Sequence, residues 1–144
     1  MDRKAEAQWE GDLKGGRGKI KLGSGAFEGS YSFGTRFEAA PGTNPEELLG
    51  AAHAGCFTMA LSAGLANAGH VATSLDTNAA VTLAKVGDKF SITRIDLTLR
   101  GVVPGISDAD FKRFADDAKQ NCIVSRALSS SVEMTLDATL LAAV

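Results

Sequence analysis

Cys56 and Cys122 are the two cysteines of this 144-residue chain, and their surroundings differ sharply. Cys56 lies inside Leu48–Leu75 (LLGAAHAGCFTMALSAGLANAGHVATSL), a run without a charged side chain. A thiol there is either inert packing, since Cys is among the residues most often buried, or a reagent held away from bulk water. Cys122, in NCIVS, stands at a predicted helix start, a position that lowers thiol pKa values and favours reactive thiols. His53 comes three residues before Cys56, so the two face the same way on a helix. With Cys122 and His70 they form a conceivable but sparse set of metal ligands, and no C-x-x-C is present. Residue types alone therefore leave three readings open: packed thiols, a catalytic pair, or metal ligands.

The composition narrows the setting. A chain of 144 residues is most simply one domain spanning 1–144 and can bury a real core. Charged residues at 22% and hydrophobic ones at 44% are ordinary for a soluble globular protein. A net charge of −2 without a long Lys/Arg cluster predicts no nucleic-acid or anionic-membrane partner. The N-terminal MDRKAEAQWEGD lacks the apolar core of a secretory signal, so a cytoplasmic location is expected. In that reducing compartment two cysteines are not expected to serve as a structural staple. The uncharged run is long enough to span a bilayer. Its His53, Asn67 and His70, its many small residues and the absence of basic or aromatic flanks instead predict a helix buried in protein. A helix apolar on every side must be covered on every side.

The elements that must position these residues follow from pattern and punctuation. Ala5–Glu10 alternates, with Trp9 as an expected core anchor, and Gly18–Leu22 follows across the turn DLKGGRG. The GGRGK stretch lacks the spacing of a phosphate-binding loop and no helix follows it. Gly29–Glu38 (GSYSFGTRFE) alternates as a third strand, with Tyr31, Phe33, Thr35 and Phe37 on one face. Asn44, Pro45 and Glu47 are good N-cap, first-position and capping-box residues, predicting a long helix from Pro45 to Asn67 that stops at Gly69. Its small residues, Gly50, Ala51, Ala54, Gly55, Ala63 and Gly64, suit close approach of a sheet or of a second copy of the helix. Val71–Val86 and Lys89–Val102 read as strands joined by a tight Gly87-Asp88 turn. Ser107 caps a second helix with an apolar stripe of Phe111, Phe114, Ala115 and Ala118, Ile123–Leu128 reads as a short helical turn, and Val132–Leu140 alternates as a final strand. This order predicts an α+β fold with antiparallel sheet around the long helix. One sheet covers one side of that helix, so an intertwined homodimer is expected.

The segment TNPEELLGAAHAGCFTMALS (Thr43–Ser62) closely resembles the central helix of the OsmC/Ohr family of osmotically inducible and organic hydroperoxide resistance proteins. QWEGDLKGGRGKI, the GTRFE of Gly34–Glu38, VPGIS and CIVS occur in the family's order and at similar intervals, so the resemblance covers essentially the whole chain and points to the OsmC branch. It implies an OsmC-like homodimer with thiol peroxidase activity and no cofactor. Cys56 matches the peroxidatic cysteine, Cys122 the resolving cysteine, Arg36 the arginine of the OsmC branch and Glu46 its acidic partner. The chemistry suits those types. A cation offsets the cost of burying a thiolate, an arginine fork can also hold peroxide oxygens, and a carboxylate can fix the guanidinium. Attack on the O–O bond would leave a sulfenic acid at Cys56, which Cys122 would condense to a disulfide. A small dithiol or lipoyl-type reductant would then reopen it by exchange.

Phe57, Met59 and Leu61, with Phe33 or Phe37, are expected to form an apolar wall favouring organic hydroperoxides. Glu46 and Cys56 are about 15 Å apart along a straight helix, which favours a site at a dimer interface. Where the family usually has proline after the second cysteine this chain has Ile123, a departure that bears on the mobility of Cys122. A second functional class is a redox-sensing or apolar-ligand-binding dimer with little turnover. His53 is expected to be a hydrogen-bonded core histidine.

Overall fold

A computed structural model describes residues 1–143, which divide into two compact units, Met1–Leu48 and the described residues from Leu49 onward. The first unit holds an antiparallel three-stranded sheet, β1 (Ala5–Glu10), β2 (Arg17–Leu22) and β3 (Glu28–Tyr31), in that order. Gly18 of β2 lies opposite both Trp9 and Tyr31. A Cβ at Gly18 would run into both rings, so glycine lets them meet across the central strand with centroids 5.3 Å apart. Trp9 also donates from Nε1 to the Gly11 and Asp12 carbonyls at 3.1 and 3.2 Å. It is half-buried and belongs to no core cluster, so the expected core anchor instead clips a hairpin turn.

The third strand is shorter than its alternation suggests. β3 ends at Tyr31, and Phe33–Phe37 forms the short helix α1. Ser32 and Thr35 make a reciprocal capping box: Thr35 N–H donates to Ser32 Oγ at 3.2 Å, and Ser32 N–H to Thr35 Oγ1 at 2.8 Å. Phe33 and Phe37, two steps apart in a period-two pattern, are also an i,i+4 pair, and their rings meet at a tilt of 43° with centroids 5.0 Å apart. The cap decides between the two periods, and it turns Arg36 onto a helix.

The helix α2 runs Pro45–Asn67, as the sequence predicts. Asn44 Oδ1 accepts the Glu47 N–H at 2.7 Å, while the Glu47 carboxylate turns to Thr43 Oγ1 instead of closing the box. At the other end Gly69 takes a φ of 87°. His70 N–H bonds to Leu65 O and Gly69 N–H to Ala66 O, the paired bonds of a Schellman stop.

In the second unit β4 (Ser74–Val86) and β5 (Lys89–Val102) form a long antiparallel hairpin turning at Gly87-Asp88, with a register shift at Thr82/Leu83. After Pro104-Gly105 come α3 (Asp108–Asn121), capped by Ser107, α4 (Ile123–Leu128) and β6 (Glu133–Leu140). β6 joins the far edge of β5 in parallel, so this sheet, of order β4-β5-β6, is mixed. The core draws on three elements: Phe57, Leu61 and Leu65 from α2, Ile95, Leu97 and Leu99 from β5, and Phe111, Ala115 and Ala118 from α3, with Cys122 beside them. Each large side chain buried here contributes about 1.5–3 kcal/mol.

Only one face of α2 is covered in the single chain. His53, Phe57, Leu61 and Leu65 are buried, whereas Ala51, Ala52, Gly55, Met59, Ser62, Ala63 and Ala66 are exposed. The sheet and α3 supply one layer, as expected of a single sheet, and leave the opposite face of the helix open.

Candidate functional site

In the first unit α1 and the first turn of α2 bring Arg36 to Glu46. Arg36 Nε and Nη2 donate to Glu46 Oε1 at 3.1 and 2.7 Å. Glu46 is buried, while the Arg36 side chain is 40% exposed. The anion is thus held inside and the cation reaches outward. Glu46 Oε2 is buried and has no hydrogen-bond partner among the described residues. Asn44 supports the arrangement by donating from Nδ2 to the Thr35 carbonyl at 3.0 Å, tying the start of α2 to α1.

Arg36 also sits 5.4 Å from the centre of the Phe37 ring. Arg36, Phe33 and Phe37, together with Trp9, Leu13 and Tyr31, line a cavity of about 260 Å³. A guanidinium on an aromatic wall can take a small molecule with a polar, oxygen-rich end and an apolar body.

The second unit holds the thiols, both free. Cys56 is half-buried on α2, one position before the core residue Phe57. Cys122 is 2% exposed and ends α3 while capping α4. Its Sγ accepts the Ser125 N–H at 3.3 Å and lies 3.0 Å from Ser125 Oγ. That oxygen in turn lies 2.8 Å from His53 Nε2. His53 is fully buried, and burial pushes its pKa below the usual imidazole value.

The residues singled out from sequence thus fall into distinct groups. Arg36, Glu46, Phe33 and Phe37 are brought together in the first unit. Phe57 is wholly buried in the core of the second, and Met59 is 76% exposed on the other side of α2. Ser125 was not anticipated. Its signal was the spacing C-x-x-S, which sets Cys122 and Ser125 on one side of a helical turn. Among the described residues no three His, Cys, Asp or Glu side chains converge as metal ligands.

A half-buried thiol on a long apolar helix, a second thiol at a helix junction and a carboxylate-held arginine define a mixed α/β chain equipped for thiol chemistry. The family model described as OsmC-like protein matches residues 37–137. A relative named Peroxiredoxin OsmC, from Escherichia coli (strain K12), is 49% identical over 138 residues, covering 95% of each chain. One named Organic hydroperoxide resistance protein, from Xanthomonas axonopodis pv. citri (strain 306), is 34% identical over 100 residues, covering 66% of each. The crystal structure of the organic hydroperoxide resistance protein OhrB of Bacillus subtilis matches with a TM-score of 0.73 at 22% identity, covering 94% of this chain and 98% of that one. An OsmC-like protein from Mycoplasma pneumoniae also matches with a TM-score of 0.73, at 18% identity and with 98% and 99% coverage. The chain belongs to the OsmC family.

Proposed function

We propose that this chain is a cytoplasmic, dithiol-dependent peroxidase that reduces organic hydroperoxides to alcohols and works as a homodimer, with residues 1–144 acting as one OsmC-like domain. The observation that carries this reading is the Arg36–Glu46 pair, a guanidinium fixed by a buried carboxylate beside an aromatic cavity. It is supported by the relatives' names, Peroxiredoxin OsmC and Organic hydroperoxide resistance protein.

In the proposed reaction, at a site on the homodimer interface, the Cys56 thiolate attacks one peroxide oxygen, with an Arg36 cation offsetting the thiolate charge. The O–O bond breaks, the alkoxide leaves as alcohol after taking a proton, and Cys56 becomes a sulfenic acid. Phe33 and Phe37 hold the organic part, and Met59 on the open face of α2 is available to extend the apolar wall, whereas Phe57 is committed to the core. Cys122 then forms a disulfide with Cys56 and releases water. A small dithiol, such as a lipoyl-type group, restores both thiols by exchange.

The exposed second face of α2 supports the homodimer. A helix with apolar residues all round leaves Met59 and its alanine neighbours in water unless another surface covers them.

The test is consumption of cumene hydroperoxide under excess dihydrolipoamide. Wild type turns over, Cys56→Ser is inactive, and Cys122→Ser reports whether the disulfide forms within the chain. A wild type no faster than Cys56→Ser overturns the peroxidase and leaves the cavity as a binding site.

A further inference from the structure

The buried polar chain His53–Ser125–Cys122 takes no part in the attack on peroxide described above. All three members are at most 2% exposed. His53 shares its helix face with Phe57, Leu61 and Leu65, an environment that favours an apolar residue. A polar group in such a place is costly unless hydrogen-bonded; each of these three is bonded to the next, while His53 Nδ1 has no partner among the described residues.

The geometry has a direction. A serine hydroxyl has one proton to donate and two lone pairs to accept with. Ser125 Oγ lies 3.0 Å from sulfur on one side and 2.8 Å from imidazole nitrogen on the other, so it can receive a proton from one as it gives its own to the other. The Ser125 N–H, also directed at Cys122 Sγ, fixes the sulfur beside that hydroxyl. The tautomer with its proton on Nδ1 presents the Nε2 lone pair to Ser125. Burial favours neutral imidazole over imidazolium, so His53 holds an extra proton only in passing. Cys122 itself, nearly closed off from solvent, has no bulk water alongside to take its proton.

We propose that Ser125 and His53 are a proton relay for Cys122 in the disulfide-forming half of the cycle, with Ser125 touching the reacting sulfur and His53 acting through it. This rests on the peroxidase reading. The Cys122 thiol proton passes to Ser125 Oγ while the Ser125 proton passes to His53 Nε2. The Cys122 sulfur attacks the Cys56 sulfenic sulfur, the S–S bond forms and the S–O bond breaks. The proton held on His53 passes back through Ser125 to the departing hydroxide, which leaves as water, so the step closes without a proton from bulk solvent. Cys122 sulfur is oxidised and Cys56 sulfur is reduced from the sulfenic level.

The experiment is a single turnover with one equivalent of cumene hydroperoxide, quenched at intervals and read by mass spectrometry. Dimedone adduct at Cys56 reports sulfenic acid, and loss of two hydrogens reports the disulfide. Ser125→Ala and His53→Gln are expected to form sulfenic acid at the wild-type rate and the disulfide about ten- to a hundredfold more slowly. The wild-type disulfide step is expected to slow in D2O, with the effect diminished in both variants, which a packing role would not produce. Gln keeps a polar partner for Ser125 without a base, so His53→Gln carries the comparison if Ser125→Ala does not fold. Disulfide formation at the wild-type rate in a folded variant overturns the relay. A wild type that yields no sulfenic acid overturns the peroxidase reading instead.

Discussion

Arg36 holds Glu46 through a single carboxylate oxygen, with Nε at 3.1 Å and Nη2 at 2.7 Å from Oε1. Two donors on one acceptor fix the plane of the guanidinium while leaving its Nη1 side unengaged by Glu46. Lysine keeps the charge but cannot reproduce the fork. Arg36→Lys should therefore lower kcat/KM for an organic hydroperoxide by about tenfold or more, equivalent to about 1.4 kcal/mol of transition-state stabilisation. Glu46→Gln should act in the same direction, because the arginine loses its charged acceptor. Steady-state assays decide it: a fully active Arg36→Lys would show that the fork is not used. Arg36→Ala should in addition destabilise the fold by about 1–3 kcal/mol, since it strands a buried carboxylate.

Ser32 lines the cavity beside Arg36 and also acts on Arg36 through the backbone of α1. Its hydroxyl caps α1 at Thr35 N–H, and Arg36 is the next residue. Ser32→Ala should cost about 0.5–2 kcal/mol locally. Because α1 is so short, its loss should release Arg36 and lower peroxidase activity, while urea unfolding of the whole chain changes little. Equal losses of stability and activity would show that the cap serves the fold alone.

The uncovered face of α2 makes a prediction about assembly. Ala63→Glu places a charge on that exposed apolar surface and should break the proposed homodimer into monomers in sedimentation velocity runs. A stable monomer with full peroxidase activity would remove the dimer interface from the mechanism.

The buried imidazole makes stability pH-dependent. Desolvation depresses the folded-state pKa of His53 below 6.5. Above that value both folded and unfolded chains carry it neutral, and it adds no slope. As pH falls below it, the unfolded chain takes up a proton that the folded chain refuses, so stability declines until the depressed folded value is reached. Asp96 titrates in a separate, more acid window. Hydrogen bonds from Thr135 and Arg94 hold its carboxyl below 3.8, so its contribution is present above that value and lost as pH falls through the folded one. Urea midpoints measured from about pH 7 to about pH 5 should fall more steeply for wild type than for His53→Gln. Parallel curves would mean that His53 is charged in the folded protein.

Much of this was legible in local signals. The Asn44 cap and the Gly69 stop bracket α2 to the residue, Ser107 starts α3, and Gly87-Asp88 turns the long hairpin. Local signals conflicted at Phe33–Phe37, where an aromatic pattern fits periods of two and of nearly four and a side-chain cap settles it. The direction of β6 had no local signature, because a strand pairs parallel or antiparallel according to the path that precedes it. Here α3 and α4 return the chain to the start of β5. The cysteines were visible as types and the arginine through its family motif. The His53–Ser125 contact joins residues 72 apart and has no expression in spacing, so only the folded chain brings it to view.

That parallel strand has a consequence for the order of synthesis. Translation delivers Cys56 and Cys122 before any residue of β6, and until Leu140 emerges β5 presents an open edge beside a core lacking Val132, Leu136 and Leu140. During that interval the two sulfurs exist without the finished packing that keeps one half-buried and the other closed off.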